Sequence, residues 1–352
     1  MNNIYKLLFL LIVPLMSLGC KENQQNSLNE LPSVNWRLTS SFPKTLNTLY
    51  GTAEDFAANV SELTQGRFQI KTYQPNEIIP ALGVFDAVSS GNIEMGQSAG
   101  AYYIGINTAF AFDTGLPFGM SSIEQNAWLY EGGGLELLQS IYSKYNIMYL
   151  PSGNTGPQMG GWFRKEINSL NDLSGLRMRI PGIGGKIMSK LNVSTQVLPG
   201  GEIYQALEKG VLDATEFIGP YDDEKMNFYE VAKYYYHPGW WEPSSTIALY
   251  INIDAWNKLP DSYKIAIELA AKNANISMLS MYNNQNAIAL NSLIDKGVKV
   301  KRFPDEIIEQ AKIESKIIFN EYAQNNEDFR KIYNHWNDYR TTMKDWNDIS
   351  KN

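Results

Sequence analysis

The stretch "FDAVSSGNIEMGQ" at residues 85–97 has the same pattern as "YQALEKGVLDATE" at residues 204–216. Each contains an aromatic residue, an alanine followed by an apolar residue, a glycine, and an apolar–acidic pair that leads onward. This pattern predicts a helix that ends at a left-handed glycine and continues into a buried strand. If the two units are a repeat, the chain folds into two similar α/β lobes, and a cleft between lobes is a favoured ligand site. Because such units are common in α/β proteins, chance similarity is the open alternative.

Strands and helices alternate around the first unit. A strand beginning near Trp36 and a helix over about 44–63 precede the alternating run "RFQIKTY" (67–73), and "IEMGQSA" (93–99) follows the helix of the unit. This β-α-β-α-β order predicts an α/β domain with a mostly parallel sheet. Residues 261–295 contain no proline or glycine, which predicts one helix of more than thirty residues.

The chain is therefore expected to have two lobes followed by C-terminal helices. The expected boundaries are a lipoprotein signal peptide at 1–20, a tether at 21–34, a first lobe at 35–153 with 218–252, a second lobe at 154–217 with 253–300, and helices at 301–352. The last helix carries Phe329, Tyr333 and Trp336 at helical spacing, which predicts packing onto a surface. If that surface belongs to another subunit, the protein is a homodimer.

Composition excludes several classes of protein. The chain has 352 residues, of which 44% are hydrophobic and 19% charged, and this suits a globular protein with a substantial core. The net charge of −7 argues against nucleic-acid binding. A single cysteine, Cys20, allows no disulfide within the chain.

The N-terminus has the pattern of a secretory signal. Lys6 precedes the apolar run "LLFLLIVPLMSLG" (7–19), which is too short to span a bilayer stably and which ends at Cys20. "SLGC" resembles the bacterial lipobox, although Ser17 stands where leucine is usual. The resemblance implies that Cys20 is lipidated and that the protein is extracytoplasmic and anchored to a membrane. Ordinary cleavage near Gly19, which leaves a free thiol, is the alternative.

The run "RMRIPGIGGK" (177–186) suggests two chemistries. It matches neither a dinucleotide-binding fingerprint nor a P-loop, because Ile187 stands where each motif needs a different residue. Arg177 and Arg179 lie two apart on a predicted strand that Pro181 ends, so they point to the same face. A guanidinium at a strand end matches a carboxylate in bidentate geometry. A surface arginine paired with a structural acid is the alternative.

Four motifs between residues 153 and 243 resemble one known family. They are "GNTGPQMGGWFRKEI", "LSGLRMRIPGIGGKIM", "VLPGGEIYQALEKGVLDATEFIGPYDD" and "YYYHPGWWEP". Together they are similar to the solute-binding proteins of tripartite ATP-independent periplasmic (TRAP) transporters, and most similar to the branch that binds 2-oxo and 2-hydroxy monocarboxylates. The resemblance implies a two-lobe α/β fold that closes on a ligand, with a long helix bridging the lobes.

The resemblance also implies a set of site residues. Arg179 would clamp the substrate carboxylate, and a metal ion would be held by Gln158, Glu216 and the backbone of Phe217. Amide, carboxylate and carbonyl oxygens are hard donors, which suit Na⁺ or Ca²⁺ rather than zinc. Glu242 would add a second carboxylate to the metal site, or it would cap a helix or brace the hinge.

The resemblance implies two further site residues, Tyr103 and Asn154. Tyr103 would donate its hydroxyl from the first lobe to the substrate, or it is a half-buried tyrosine of the sheet; Asn154 would also contact the substrate. The two histidines, His237 and His335, form no pair with a nucleophile or a metal. We therefore expect no enzyme.

The expected function is the capture of a small 2-oxo or 2-hydroxy acid, such as pyruvate or lactate, for a membrane permease. A sensory module that presents the same ligand-binding domain to a chemoreceptor or sensor kinase is the alternative. A secreted lyase or hydrolase that uses Glu216 as a base is the third possibility.

Overall fold

The computed structural model describes residues 31–350, and its first sheet has five strands. These are β1 (Val34–Ser40), β2 (Phe68–Tyr73), β3 (Met95–Ser98), β4 (Ile147–Asn154) and β10 (Thr246–Asn252). Their order is β2-β1-β3-β10-β4. Strand β1 is parallel to β2 and β3, whereas β10 is antiparallel to β3 and β4. The predicted parallel β-α-β-α-β unit is confirmed.

The second sheet has six short strands in the order β11-β9-β5-β8-β6-β7. They are β5 (Trp162–Phe163), β6 (Arg177–Arg179), β7 (Ser194–Gln196), β8 (Ala214–Thr215), β9 (Tyr234–His237) and β11 (Lys299–Arg302). Strand β6 is parallel to both β7 and β8, so the carboxyl ends of these three strands lie at one edge of the sheet.

Helices cover both sheets and form the C-terminus. They are α1 (Tyr50–Leu63), α2 (Val84–Ser89), α3 (Ala111–Thr114), α4 (Ser122–Tyr130), α5 (Gly134–Tyr142), α6 (Gly182–Lys190), α7 (Gly200–Glu208), α8 (Pro220–Lys225), α9 (Phe228–Val231), α10 (Ile253–Asn257), α11 (Asp261–Asp295), α12 (Asp305–Asn325) and α13 (Glu327–Ser350). The long helix α11 has the predicted bounds. Among residues 31–350, no helix is long and apolar enough to cross a bilayer.

The two similar stretches of sequence form the same structural unit. In each, a helix (α2 or α7) is followed by a glycine with positive φ, 76° at Gly91 and 69° at Gly210, and then by a strand. Strand β3 of the first unit lies in the first sheet and β8 of the second unit lies in the second sheet. The expectation of one unit in each lobe is therefore confirmed.

Three parts of the chain connect the sheets. Residues 155–161 lead from β4 to β5, residues 238–245 lead from β9 to β10, and α11 lies between β10 and β11. We call the first two the crossing segments. They lie side by side, since the Gly239 amide donates to the Gln158 carbonyl at 3.2 Å and the Thr155 amide donates to the Ser245 carbonyl at 2.9 Å.

Strand pairing differs from the expected lobe boundaries at β9. Residues 218–252 were assigned to the first lobe, but β9 pairs with β5 and β11 in the second sheet, and only β10 lies in the first. The indole of Trp162 stacks on Tyr235 at 4.0 Å, and both side chains donate to the buried carboxylate of Asp223. This buried network holds β9 in the second sheet.

Two other expectations need correction. The helix predicted over 44–63 begins at Tyr50, because residues 43–49 form turns in which Leu46 and Leu49 are buried. The aromatic stripe of α13 packs within the chain: Phe329 and Trp336 are buried, and each contacts the ring of Phe112. The stripe therefore provides no argument for a homodimer.

Candidate functional site

A small pocket lies between the two lobes. Ala101, Tyr102 and Thr114 line it from the first lobe, and Pro181 and Phe217 line it from the second. Two further second-lobe side chains, Arg179 and Glu216, also line it. The crossing segments complete the wall with Thr155, Gln158, Glu242 and Ser245. The centres of water-sized molecules can occupy only about 30 Å³ of this space, whereas one water needs about 10–15 Å³. The pocket therefore suits a ligand of few atoms.

Arg179 ends strand β6 and projects into this pocket, although its side chain is only 2% exposed. Its Nε donates to the Leu198 carbonyl at 3.0 Å, and its Nη1 donates to both the carbonyl and the carboxylate of Glu216. Its Nη2 lies 3.4 Å from the Tyr102 hydroxyl. A buried guanidinium held in this way keeps its charge at a fixed place beside the pocket.

Glu216 follows β8 at the same sheet edge and is buried. Burial raises the pKa of its carboxyl group, and the positive charge of Arg179 opposes that rise. The ion pair with Arg179 therefore offsets part of the cost of burying each charge.

Gln158 and Glu242 lie on different crossing segments and contact each other. The Gln158 Nε2 donates to Glu242 Oε2 at 3.1 Å and to the Thr155 hydroxyl at 3.3 Å. The Gln158 Oε1 is buried and has no hydrogen-bond partner within residues 31–350. A buried amide oxygen without a partner is unfavourable, so a group that binds oxygen fits beside it.

The donors around the pocket suit a hard cation. Within the described part of the chain, no group of three or more histidine, cysteine, aspartate or glutamate side chains could hold a metal. A cation here would need the amide oxygen of Gln158 in addition to carboxylates. Such oxygen donors match Na⁺ or Ca²⁺ and not a transition metal.

Five of the expected site residues meet at the pocket: Arg179, Gln158, Glu216, Phe217 and Glu242. The other two, Asn154 and Tyr103, do not line it. Asn154 is buried at the end of β4, where it bonds to Ser244 and to the Gly156 amide. The Tyr103 hydroxyl contacts Ser98 at 2.9 Å.

Tyr102, which the sequence reasoning missed, takes the place expected for Tyr103. Residues 100–103 form a 3₁₀ helix, in which neighbouring side chains point about 120° apart. Tyr102 therefore faces Arg179, whereas Tyr103 faces the first-lobe core. The hydroxyls of Thr155 and Ser245 were also missed, and their only sequence signal was their place near Gln158 and Glu242.

The two arginines of "RMRIPGIGGK" have different surroundings. Arg177 is exposed and forms a two-point ion pair with Asp213, at 2.8 and 2.7 Å. Lys186 is exposed on α6, as expected for a surface helix residue. Of these two arginines, Arg179 lines the pocket and Arg177 does not.

Two α/β lobes joined by crossing segments, with a small charged pocket where they meet, define the class of bilobed solute-binding proteins. The chain belongs to the bacterial extracellular solute-binding protein family 7, whose model matches residues 39–325. Members of this family are solute-binding proteins of transporters and not enzymes, and the fold is that of TRAP solute-binding proteins.

Close relatives support this assignment. A monocarboxylate 2-oxoacid-binding periplasmic protein of Nostoc is 47% identical, over 90% of this chain and 87% of its own length. A TRAP transporter solute-binding protein from Bordetella bronchiseptica, a mixed-occupancy dimer with calcium and picolinate in one site, is 45% identical with a TM-score of 0.90, over 91% of this chain and 95% of that chain. A Pseudoalteromonas atlantica protein with sodium and pyruvate is 36% identical with a TM-score of 0.87, over 90% and 97%.

Proposed function

We propose that this TRAP solute-binding protein captures a small 2-oxo or 2-hydroxy monocarboxylate, with pyruvate as the reference ligand, together with Na⁺ or Ca²⁺. The observation that carries the proposal is a buried guanidinium beside a buried amide oxygen that has no partner within residues 31–350, in a small pocket between the lobes. The ligands of the solved relatives, pyruvate and picolinate, are small 2-substituted carboxylates and support the same class.

Arg179 is the proposed partner of the ligand carboxylate. Among the described residues 31–350 its Nη2 has no carboxylate partner, whereas its Nη1 is held by Glu216. Tyr102 reaches the same guanidinium from the first lobe. A ligand at Arg179 would therefore touch both lobes, which favours the closed arrangement.

Charge balance supports a cation in the same pocket. One arginine and two glutamates line the pocket, so with both glutamates ionised an anionic ligand alone would add negative charge to a buried site, which is unfavourable. The proposed ligands of the cation are Gln158, Glu216 and the backbone of Phe217, with Glu242 close by. When bound, the cation supplies positive charge for the 2-oxo or 2-hydroxy oxygen of the ligand.

Substituting Arg179 tests this function. Arg179→Ala removes the partner of a buried anion, which costs about 3–5 kcal/mol, so we expect the affinity for pyruvate to fall at least about a hundredfold. Arg179→Lys keeps the charge without the fork-shaped donor set, and should bind with intermediate affinity. The matched control is Arg177→Ala, which removes the exposed arginine two residues away and should bind as the wild type does. Calorimetry with pyruvate and calcium measures all four proteins, and near-wild-type affinity of Arg179→Ala contradicts the proposal.

Three partner and location assignments complete the proposal. The signal peptide of 1–20 and the lipid on Cys20 lie outside the described residues, and the mass of the mature N-terminus checks them. The membrane partner is the permease of a TRAP transporter, in keeping with the family.

A homodimer through the C-terminal helices is proposed because Trp346 and Ile349 of α13 are exposed, and light scattering of the purified protein checks it.

A further inference from the structure

We propose that Glu242 positions the amide of Gln158 and does not itself bind the cation. This inference rests on the proposed cation site. Glu242 accepts a hydrogen bond from the Gln158 Nε2, and this leaves the Gln158 Oε1 to bind the cation.

The contact between the two side chains fixes which end of the amide faces Glu242. An ionised carboxylate accepts hydrogen bonds and donates none. The structure has the Gln158 Nε2 at 3.1 Å from Glu242 Oε2, and with Glu242 ionised only this orientation of the amide forms a hydrogen bond. With the amide reversed, Oε1 would face a carboxylate oxygen, and the two would repel each other.

Thr155 supports the same orientation. Its hydroxyl donates to the Gly156 carbonyl at 3.0 Å, so it offers a lone pair and no proton to Gln158. It accepts from the Gln158 Nε2 at 3.3 Å. The amide nitrogen thus has two acceptors, which matches its two hydrogens, while Oε1 stays buried without a partner within residues 31–350.

Glu242 is itself held in place. Its backbone amide donates to the Gly239 carbonyl at 3.2 Å on the same crossing segment. Gln158 lies on the other crossing segment, where the Gly239 amide donates to its carbonyl. The Gln158–Glu242 bond therefore joins the two crossing segments, and it orients a cation ligand from outside the shell of ligands. Outer partners of this kind are commonly worth ten- to hundredfold in metal affinity.

A double-mutant cycle distinguishes positioning from direct ligation. Calcium is titrated by calorimetry into metal-free protein with saturating pyruvate. With Gln158 present, we expect the Glu242→Ala variant, which has no side-chain acceptor for the Gln158 Nε2, to bind calcium about 10–100-fold more weakly than the wild type. In the Gln158→Ala background the same substitution should cost at least tenfold less, because the side chain it orients is gone. The calcium-dependent rise in Tm extends the measurement to weakly binding variants.

Substituting Thr155 tests the orientation of the Gln158 amide without changing the charge of the site. Thr155→Val removes an acceptor of the Gln158 Nε2 and should weaken calcium binding several-fold, whereas the matched control Thr155→Ser keeps the hydroxyl and should bind as the wild type does. In the Gln158→Ala background Thr155→Val should have no effect. A loss of Tm without calcium, with calcium affinity unchanged, would mean that Thr155 and Glu242 are only structural.

The outcomes separate this inference from the proposed function. If the losses of calcium affinity caused by Glu242→Ala and Gln158→Ala multiply, Glu242 is a direct ligand and the positioning role is overturned. If wild-type protein binds pyruvate with the same affinity with and without sodium or calcium, the cation site of the proposed function is overturned, and the inference with it.

Discussion

At the scale of single residues, the hydrogen bonds that Arg179 already makes within the protein determine which of its N–H groups remain for a ligand. A guanidinium has five N–H donors. Leu198 takes the Nε donor, Glu216 takes the two of Nη1, and Tyr102 lies at 3.4 Å from Nη2. The ligand carboxylate is therefore expected at Nη2, next to the Tyr102 hydroxyl.

Adjacent tyrosines provide a matched test of this geometry. Tyr102→Phe removes a hydroxyl at the pocket and should weaken pyruvate binding about tenfold, or about 1.4 kcal/mol, as for one hydrogen bond to a charged group. Tyr103→Phe should leave the affinity unchanged and lower the free energy of unfolding by about 1 kcal/mol, since Ser98 keeps its bond to Ser41 but loses the one to Tyr103. Calorimetry and urea denaturation measure the two effects. The opposite pattern would place Tyr103 at the ligand.

The sequence predicted most of the pocket but not which of two neighbours faces it. Arg179, Gln158, Glu216, Phe217 and Glu242 were expected there and line it. Each of the family-like motifs contains a strand end or a crossing segment. The motifs, taken in their order along the chain, therefore identify these positions. The direction of a side chain within a 3₁₀ helix depends on where that helix packs, and neither spacing nor composition encodes this.

At the scale of elements, a buried carboxylate joins three parts of the chain. Asp222 lies on α8, and it accepts hydrogen bonds from Thr48, between β1 and α1, and from Tyr282 of the long helix α11. Helix α8 begins at Pro220, as the proline and the two following acids predict. Asp222 thus connects the second lobe, the first lobe and the long helix.

Removing one donor to this carboxylate should destabilise the fold. Tyr282→Phe leaves Asp222 buried with fewer partners, so the free energy of unfolding should fall by about 1–3 kcal/mol. The control is Tyr204→Phe, which removes a hydroxyl that donates to Glu230 at the surface and should change it by less than about 0.5 kcal/mol. Urea denaturation measures both variants. Equal effects would show that the connection through Asp222 adds no stability.

Element length explains which elements could be predicted. Helix α11 spans 35 residues without proline or glycine, so its bounds were predicted correctly. Strands β5 and β8 have two residues each, and two residues are too few to show alternation. Because β9 joins the second sheet through these short strands, its lobe was assigned wrongly.

At the scale of the whole molecule, two buried acids, Asp113 and Asp223, do not themselves line the pocket. Burial raises the pKa of Asp113 to about 6 and that of Asp223 to about 7. Asp113 accepts from the hydroxyls of Tyr142, Tyr250 and Thr114, and Asp223 accepts from Trp162 and Tyr235. Both carboxylates help to hold the lobes' cores together, and both bind a proton more tightly in the folded chain than in the unfolded one.

The stability of the ligand-free protein should therefore depend on pH with a definite sign. For a carboxyl whose folded pKa exceeds its unfolded value of about 3.9, the stabilising contribution is complete below that value and is lost as the pH rises through the folded pKa. Asp113 and Asp223 thus lower the free energy of unfolding as the pH rises from about 4 to 8, by at most about 1.4 kcal/mol per pH unit for each group. The pKa values of Glu94, Asp172 and Asp213 are lowered. These acids therefore raise the free energy of unfolding as the pH rises, but this effect is confined to pH values below about 4.5.

Urea denaturation of metal-free protein at pH 5.5 and pH 8 measures this slope. We expect the higher free energy of unfolding at pH 5.5, and we expect Asp223→Asn to make the difference between the two pH values smaller, because one group that titrates in this range is gone. Higher stability at pH 8 would mean that both carboxylates stay ionised in the folded chain. In that case the hydrogen bonds from Tyr142, Tyr250, Trp162 and Tyr235 outweigh the cost of burial.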